Sequence, residues 1–227
     1  MSATQRALPL LDLGAFDRDD ESRRVFLSRL REAAHDVGFF YLTGHSIGRP
    51  LITDVLSLSR RFFTLPEDEK LAIEMVNSPH FRGYTRAGWE RTKGRPDWRE
   101  QLDVGQEAEA LPRNDTLPAW TRLQGPNQWP GSLPELKPTL LRWQQEVTDV
   151  AIRLLRAFAL ALEQPPEIFE PIYAGAPNTL IKIIRYPGRD ATADDQGVGA
   201  HKDSGFLTLL LQDEVKGLQV EAEDGWI

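Results

Sequence analysis

The segment Gly199-Ala200-His201-Lys202-Asp203-Ser204-Gly205 places an imidazole and a carboxylate two residues apart, just before the apolar run Phe206 to Gln212 and Asp213. On an extended backbone, residues i and i+2 project to the same side. His201 and Asp203 could then offer two neighbouring donors to one divalent cation, and a second His from elsewhere would complete a two-His, one-carboxylate facial triad of the non-haem iron type. Spacing alone decides little. With four His and 17 Asp in 227 residues, roughly 0.3 His-x-Asp pairs arise by chance, so the surrounding elements must decide.

Composition narrows the setting. At 227 residues and 41% hydrophobic, the chain can bury one sizeable core or a core with a smaller lobe. A net charge of -7 argues against a surface built to neutralise a phosphate backbone, so nucleic acid is not expected as a partner. There is no Cys, which leaves His, carboxylate and water as the available metal donors. Met1 to Arg6 lead into no apolar signal core, and the apolar run Leu154 to Leu162 is broken by Arg156 and too short to span a bilayer. The expectation is a cytoplasmic protein, neither secreted nor bound to a membrane.

Taken in order, Ala7 to Leu11 reads as an edge strand that tolerates Pro9. From Glu21 to Val37, apolar residues recur at three- and four-residue steps, and Gly38 ends the helix. Phe39 to Leu42 is β-prone and closes in the turn Thr43-Gly44-His45, where His45 reads as hydrogen-bonded to backbone. Leu51 to Phe63 forms a second helix. A third starts at Pro66 with Glu67, Asp68 and Glu69 at its positive end.

His80 to Arg99 reads as an ordered loop in which Arg82, Arg86, Arg91, Lys93, Arg95 and Arg99 outnumber Glu90 and Asp97 by four. This excess could capture an anionic substrate at a cleft mouth, or it could be a solvated loop paired with nearby acids. Leu111 to Pro134 reads as a connection packed down by Trp120 and Trp129. Pro138 to about Glu163 is the longest helix, and a short helical turn follows at Glu167-Ile168-Phe169.

After Pro177 the pattern becomes β. Asn178 to Tyr186 is a strand with Leu180, Lys182, Ile184 and Tyr186 on one face. A polar loop over 191–197 leads to strands at Val198–Asp203, Phe206–Gln212 and, beyond the turn Val215-Lys216-Gly217, Leu218–Glu221. Strands in succession without helices imply an antiparallel sheet or barrel.

These landmarks together resemble the iron/ascorbate (isopenicillin N synthase-like) branch of the 2-oxoglutarate-dependent Fe(II) dioxygenases. The resemblance runs through Pro9 to Leu13, Gly38 to Tyr41 with Gly44-His45, Phe62 to Pro66 with Glu69-Lys70-Leu71, Arg82-Gly83-Tyr84 and Gly125-Pro126-Asn127-Gln128-Trp129-Pro130. It continues through Tyr186-Pro187, Gly199 to Asp203, Leu207 to Asp213 and Gly217 to Val220. It implies an α+β fold with a mainly β core, a double-stranded β-helix (jelly roll) braced by helices and truncated at its C-terminus. Residues 1–133 would be the N-terminal region, 134–177 the supporting helix and connection, and 178–227 the first jelly-roll strands, all within one structural domain.

The resemblance makes His201 and Asp203 the first two iron ligands and places Tyr186 and Lys182 against the bound oxoacid. Lys182 has a salt bridge to a structural acid as its alternative reading. Thr208 and Leu210 become candidate substrate contacts, with plain core packing the alternative, and Arg82 joins them from the basic loop as a candidate for an anionic substrate. The cofactors implied are Fe(II) and 2-oxoglutarate, and the partners a small-molecule substrate and O2. The usual outcome would be hydroxylation, with succinate and CO2 released. Alternatives are an oxidase that does not use 2-oxoglutarate, or a binding module or fragment without the chemistry.

Two departures bear on this. Ile184 and Arg185 stand where many relatives have Asn and Tyr. No His follows His201, so neither the third ligand nor the family's Arg-x-Ser is present, and a longer natural chain is expected.

Overall fold

The computed structural model describes residues 7–112, 116–175, 177–188, 196–215, 217–222 and 225–227. The N-terminal residues Met1 to Arg6, most of the polar loop over 191–197 and Lys216 of the expected turn lie outside the described residues. The chain divides into two compact units, one drawn from 1–48, 146–177 and 209–227, the other from 49–145 and 178–208.

In the first unit, strand β1 (Leu10–Asp12) pairs in parallel with β2 (Tyr41–Thr43), Leu11 opposite Leu42. Asp12 Oδ1 accepts the Gly14 amide at 3.0 Å and opens a turn of 3₁₀ helix over Leu13–Asp17. Helix α1 (Asp20–Asp36) starts at Asp19, whose carboxylate accepts the Ser22 amide at 2.8 Å. It buries Phe26, Leu30 and Ala33, one face of the 3.6-residue period. Gly38 ends it at φ 77°, donating its N–H to Ala33. His45 Nδ1 accepts the Ile47 amide at 3.1 Å, a backbone contact of the kind expected. A short hairpin of β8 (Glu221–Ala222) and β9 (Gly225–Trp226) stands close to the strand expected at Leu218–Glu221.

The second unit is built on helix α2 (Arg49–Phe63), which buries Leu51, Val55, Leu58, Phe62 and Phe63. Helix α3 (Glu67–Ala72) follows with Pro66 as its N-cap. Its sheet is antiparallel in the order β3 (Gly83–Thr85), β6 (Glu100–Gly105), β7 (Leu180–Arg185). Phe62 packs edge-on against Tyr84 at 6.1 Å and is fully buried, a burial that contributes about 2 kcal/mol on its own.

The motif Gly125 to Pro130 joins the pieces of this unit. Asn127 forms hydrogen bonds with both the N–H and the C=O of Gly105, at 2.8 and 2.9 Å, as a neighbouring strand would. Gln128 Nε2 donates to the carbonyl of Arg82 at 2.8 Å and to that of Glu74 at 3.0 Å. Helix α4 spans Leu136–Ala161. A turn of helix, α5 (Glu170–Tyr173), falls three residues after its expected place.

Several expectations change. The stretch read as loop over His80 to Arg99 contains β3 and a second, two-stranded hairpin. Trp120 is 63% exposed and packs nothing down, whereas Trp129 donates Nε1 to Glu107 at 3.1 Å. Val198–Asp203 and Phe206–Gln212 form no strand. A strand exists only where a second backbone completes its ladder, and no described residue does so for these runs. The described residues therefore show helices and small sheets, without the closed β sandwich.

Candidate metal centre

Strand β6 is buried along its whole length, yet it carries Glu100, Gln101 and Asp103. Alternation sends Glu100, Leu102 and Val104 to one face and Gln101 and Asp103 to the other. On the second face, Asp103 lies opposite Lys182 of β7 in the register, with Oδ1 3.0 Å from Nζ. Lys182 also lies 3.6 Å from Glu90. Gln101 Nε2 donates to Asp103 Oδ2 at 2.7 Å and to Glu90 Oε1 at 3.0 Å. Burial raises the Asp103 carboxyl above its ordinary range, and the Lys182 ammonium works against that shift.

Arg99 extends the network, donating to Glu90 at 2.8 Å and standing 3.9 Å from Asp97. Burial alone would lower the Arg99 guanidinium, but hydrogen bonds with Tyr186 and Glu90 outweigh it and hold the group above its ordinary value. Tyr186, just past the end of β7, is thereby tied to this face, although it is half-exposed. Gly197 lies so close to the Tyr186 ring that a Cβ there would meet Cδ1 at 2.9 Å.

The His-x-Asp segment adjoins the same network. Gln196 Nε2 and the Gly199 amide both donate to Asp97 Oδ1, at 2.9 and 3.3 Å. His201 Nδ1 stands 2.8 Å from the Gly199 carbonyl, and Nε2 stands 3.2 Å from Asp203 Oδ1, with both side chains about half-exposed. An imidazole that donates Nδ1–H to a carbonyl presents the Nε2 lone pair outward, the tautomer that ligates metal. Two donors at right angles about 2.1 Å from one ion lie about 3.0 Å apart. The observed separation matches that spacing, which an ion pair between a protonated His201 and Asp203 also gives. No third His, Asp or Glu joins them among the described residues.

The remaining candidates are placed differently. Arg82 is 6% exposed, and its guanidinium donates to the carbonyls of His80, Phe81 and Leu123 at 2.9, 3.1 and 3.0 Å. Burial lowers its affinity for the proton, opposed by the charges of Asp103 and Glu107. Two other loop cations are also engaged, Arg86 with Glu74 at 2.6 Å and Arg91 with the Gly94 carbonyl at 3.1 Å. The paired-loop reading therefore describes the basic segment better than anion capture does. Thr208 and Leu210 are exposed and lie outside any strand. Sequence reasoning assigns no site role to Gln101 and Asp103 and counts Asp97 only as one acid of the basic loop; the signal available was the alternation of Leu102 and Val104 with the polar Gln101 and Asp103.

Helices with small, largely antiparallel sheets define an α+β chain. A family model described as the N-terminal region of non-haem dioxygenases in morphine synthesis matches residues 8–132, and the 2OG-Fe(II) oxygenase superfamily model matches 177–227. The chain belongs to the 2OG-Fe(II) oxygenase superfamily. It is 37% identical to the 2-oxoglutarate-dependent dioxygenase frbJ of Dothideomycetidae sp., spanning 97% of this chain and 60% of that protein. It is 36% identical to the homoarginine-6-hydroxylase 2-ODD-C23.1 of Arabidopsis thaliana over 100% of this chain and 72% of that one. It thus spans about three fifths to three quarters of the length of these relatives. The crystal structure of a full-length Neurospora crassa protein in complex with alpha-KG and thymine superposes with a TM-score of 0.81 at 25% identity, covering 100% of this chain and 71% of that one. No helix among the described residues is long and apolar enough to cross a membrane.

Proposed function

We propose that the protein is a non-haem Fe(II), 2-oxoglutarate-dependent oxygenase that oxidises, and most often hydroxylates, a small molecule with O2 in the cytoplasm. The observation that carries this reading is the 3.2 Å approach of His201 Nε2 to Asp203 Oδ1 with Nδ1 engaged by Gly199, in a chain of this superfamily. His201 and Asp203 hold the ion. Bound Fe(II) and 2-oxoglutarate supply the oxidising chemistry, with succinate and CO2 as the products of the cosubstrate.

The residues of the chain position rather than react. The Gly199 carbonyl fixes the imidazole tautomer, and the Asp203 carboxylate supplies negative charge beside it. Tyr186, held by Arg99, flanks the cosubstrate. Lys182, shared by Asp103 and Glu90, is assigned to the acidic network and not to the cosubstrate carboxylate. Arg82 is assigned to holding its own loop. Thr208 and Leu210 remain proposed lining of the substrate pocket. One relative is named for homoarginine and a related structure contains thymine, so a small polar nitrogen compound is the first substrate class to screen.

The test is anaerobic titration of the full-length protein with Fe(II) and 2-oxoglutarate. A visible charge-transfer band that His201→Ala abolishes, with succinate released on admission of O2, supports the reading. No band and no succinate would leave a binding module with the family's fold.

A further inference from the structure

We propose that Asp97 is a positioning residue for the metal ligand His201, acting from a hairpin about a hundred residues away in the chain. The proposal rests on the reading of His201 as an iron ligand. Asp97 follows the hairpin of β4 (Arg91–Thr92) and β5 (Arg95–Pro96), whose two-residue loop Lys93-Gly94 has φ of 52° and 84°. Two successive positive φ values make the tight turn that matches strand twist. The hairpin is accordingly a short, rigid arm.

Asp97 itself is 1% exposed. Its Oδ2 accepts the Thr92 hydroxyl at 2.7 Å, and its Oδ1 accepts Gln196 Nε2 at 2.9 Å and the Gly199 amide at 3.3 Å. The backbone adds a fourth tie, the Trp98 amide donating to the Gln196 carbonyl at 2.9 Å. Gly199 is thus held through its N–H by Asp97, while its C=O receives His201 Nδ1 at 2.8 Å. A single peptide-linked residue relays the position of a buried carboxylate to the imidazole.

A second observation, independent of these bonds, is steric. A Cβ at Gly199 would lie 2.8 Å from Thr92 Cγ2 and 2.9 Å from Thr92 Cβ. The ligand segment is therefore seated directly on the arm, with no room for a side chain between them. Asp97 touches neither ligand atom. Its role is to fix the carbonyl that fixes the imidazole; groups that bond a ligating imidazole directly commonly govern metal affinity by 10- to 100-fold, and Asp97 acts one bond further out.

The test measures Fe(II) affinity of the full-length protein, anaerobically and with saturating 2-oxoglutarate, alongside the thermal midpoint of the metal-free protein. Asp97→Ala should weaken Fe(II) binding by about 5- to 10-fold, the low end of what direct ligand partners govern. Asp97→Asn, which keeps one acceptor for Gln196 and Gly199 and can donate to Thr92, should recover most of that loss. Gly199→Ala should weaken Fe(II) binding comparably by pushing the segment off the arm, and it decides the matter if Asp97→Ala does not fold. Fe(II) affinity within twofold of the wild type in Gly199→Ala and in any Asp97→Ala that folds, even with a lowered thermal midpoint, would make Asp97 a structural residue only and overturn the proposal. Absence of Fe(II) binding in the wild type would instead overturn the metal-site reading beneath it.

Discussion

The Tyr84 hydroxyl donates to Glu100 Oε2 at 2.6 Å across the pairing of β3 with β6. Burial and then this bond to a carboxylate raise the Tyr84 phenol well above its ordinary value near 10. The folded chain therefore holds that proton more tightly than the unfolded chain. The stability it contributes is complete below about pH 10 and is lost as pH rises above it. Urea unfolding midpoints should fall between about pH 9.5 and 11 in the wild type, and Tyr84→Phe should flatten that fall.

Glu100 also meets Lys70 at 3.1 Å and Arg185 at 2.6 Å, with the Glu100 and Lys70 side chains almost wholly enclosed. Removing the carboxylate leaves the enclosed Lys70 ammonium unpaired beside the half-exposed Arg185 guanidinium. Glu100→Ala should cost about 3–5 kcal/mol, read from denaturant unfolding. A loss under 1 kcal/mol would mean that Lys70 and Arg185 reach water once the acid is gone.

Lys182 and Asp103 form a testable pair. Lys182→Met strands a buried carboxylate and should cost about 2 kcal/mol, below the full buried-pair penalty because the lysine is about a third exposed. The double variant with Asp103→Asn should recover most of that stability, and 2-oxoglutarate affinity should stay within about threefold of the wild type throughout. A 2-oxoglutarate affinity that collapses in Lys182→Met and is not restored in the double variant would return Lys182 to the cosubstrate.

Arg82 should prove a clamp. Its three bonds to carbonyls hold residues 80–82 against Leu123, and a Cβ at Gly105 would strike its guanidinium. Arg82→Ala should lower stability by about 3 kcal/mol and leave the Michaelis constant for substrate unchanged at permissive temperature. Gly105→Ala should mimic it. A raised Michaelis constant at unaltered stability would restore the substrate role.

The helices were legible because a stripe such as Phe26, Leu30 and Ala33, or Leu51, Val55 and Phe62, shows its period directly. β7 was legible from its β-branched run. β6 was not, because Glu100, Gln101 and Asp103 read as surface residues when their partners Lys70, Arg185 and Lys182 lie 30, 85 and 79 positions away. At the site, the type and spacing of His201 and Asp203 could be read from the chain. What orients them could not, since Asp97 reaches Gly199 only through tertiary folding. The strands expected at Val198–Asp203 and Phe206–Gln212 failed for a related reason, as propensity supplies one half of a ladder and the neighbour supplies the other.

The opposed charges on β6 also bear on how the chain finds its alignment. A sheet strand can slip by one residue at little cost to its ladder, but every side chain then changes face. Such a slip of β6 would turn Leu102 and Val104 away from Phe62 and drive Gln101 and Asp103 onto the aromatic side, while Glu100 would part from both Lys70 and Arg185. With one carboxylate keyed to cations on each side, only one phase between β6 and β7 satisfies both. The central strand thus carries its own error check, and only Trp98 and Arg99 separate Asp97 from its first residue.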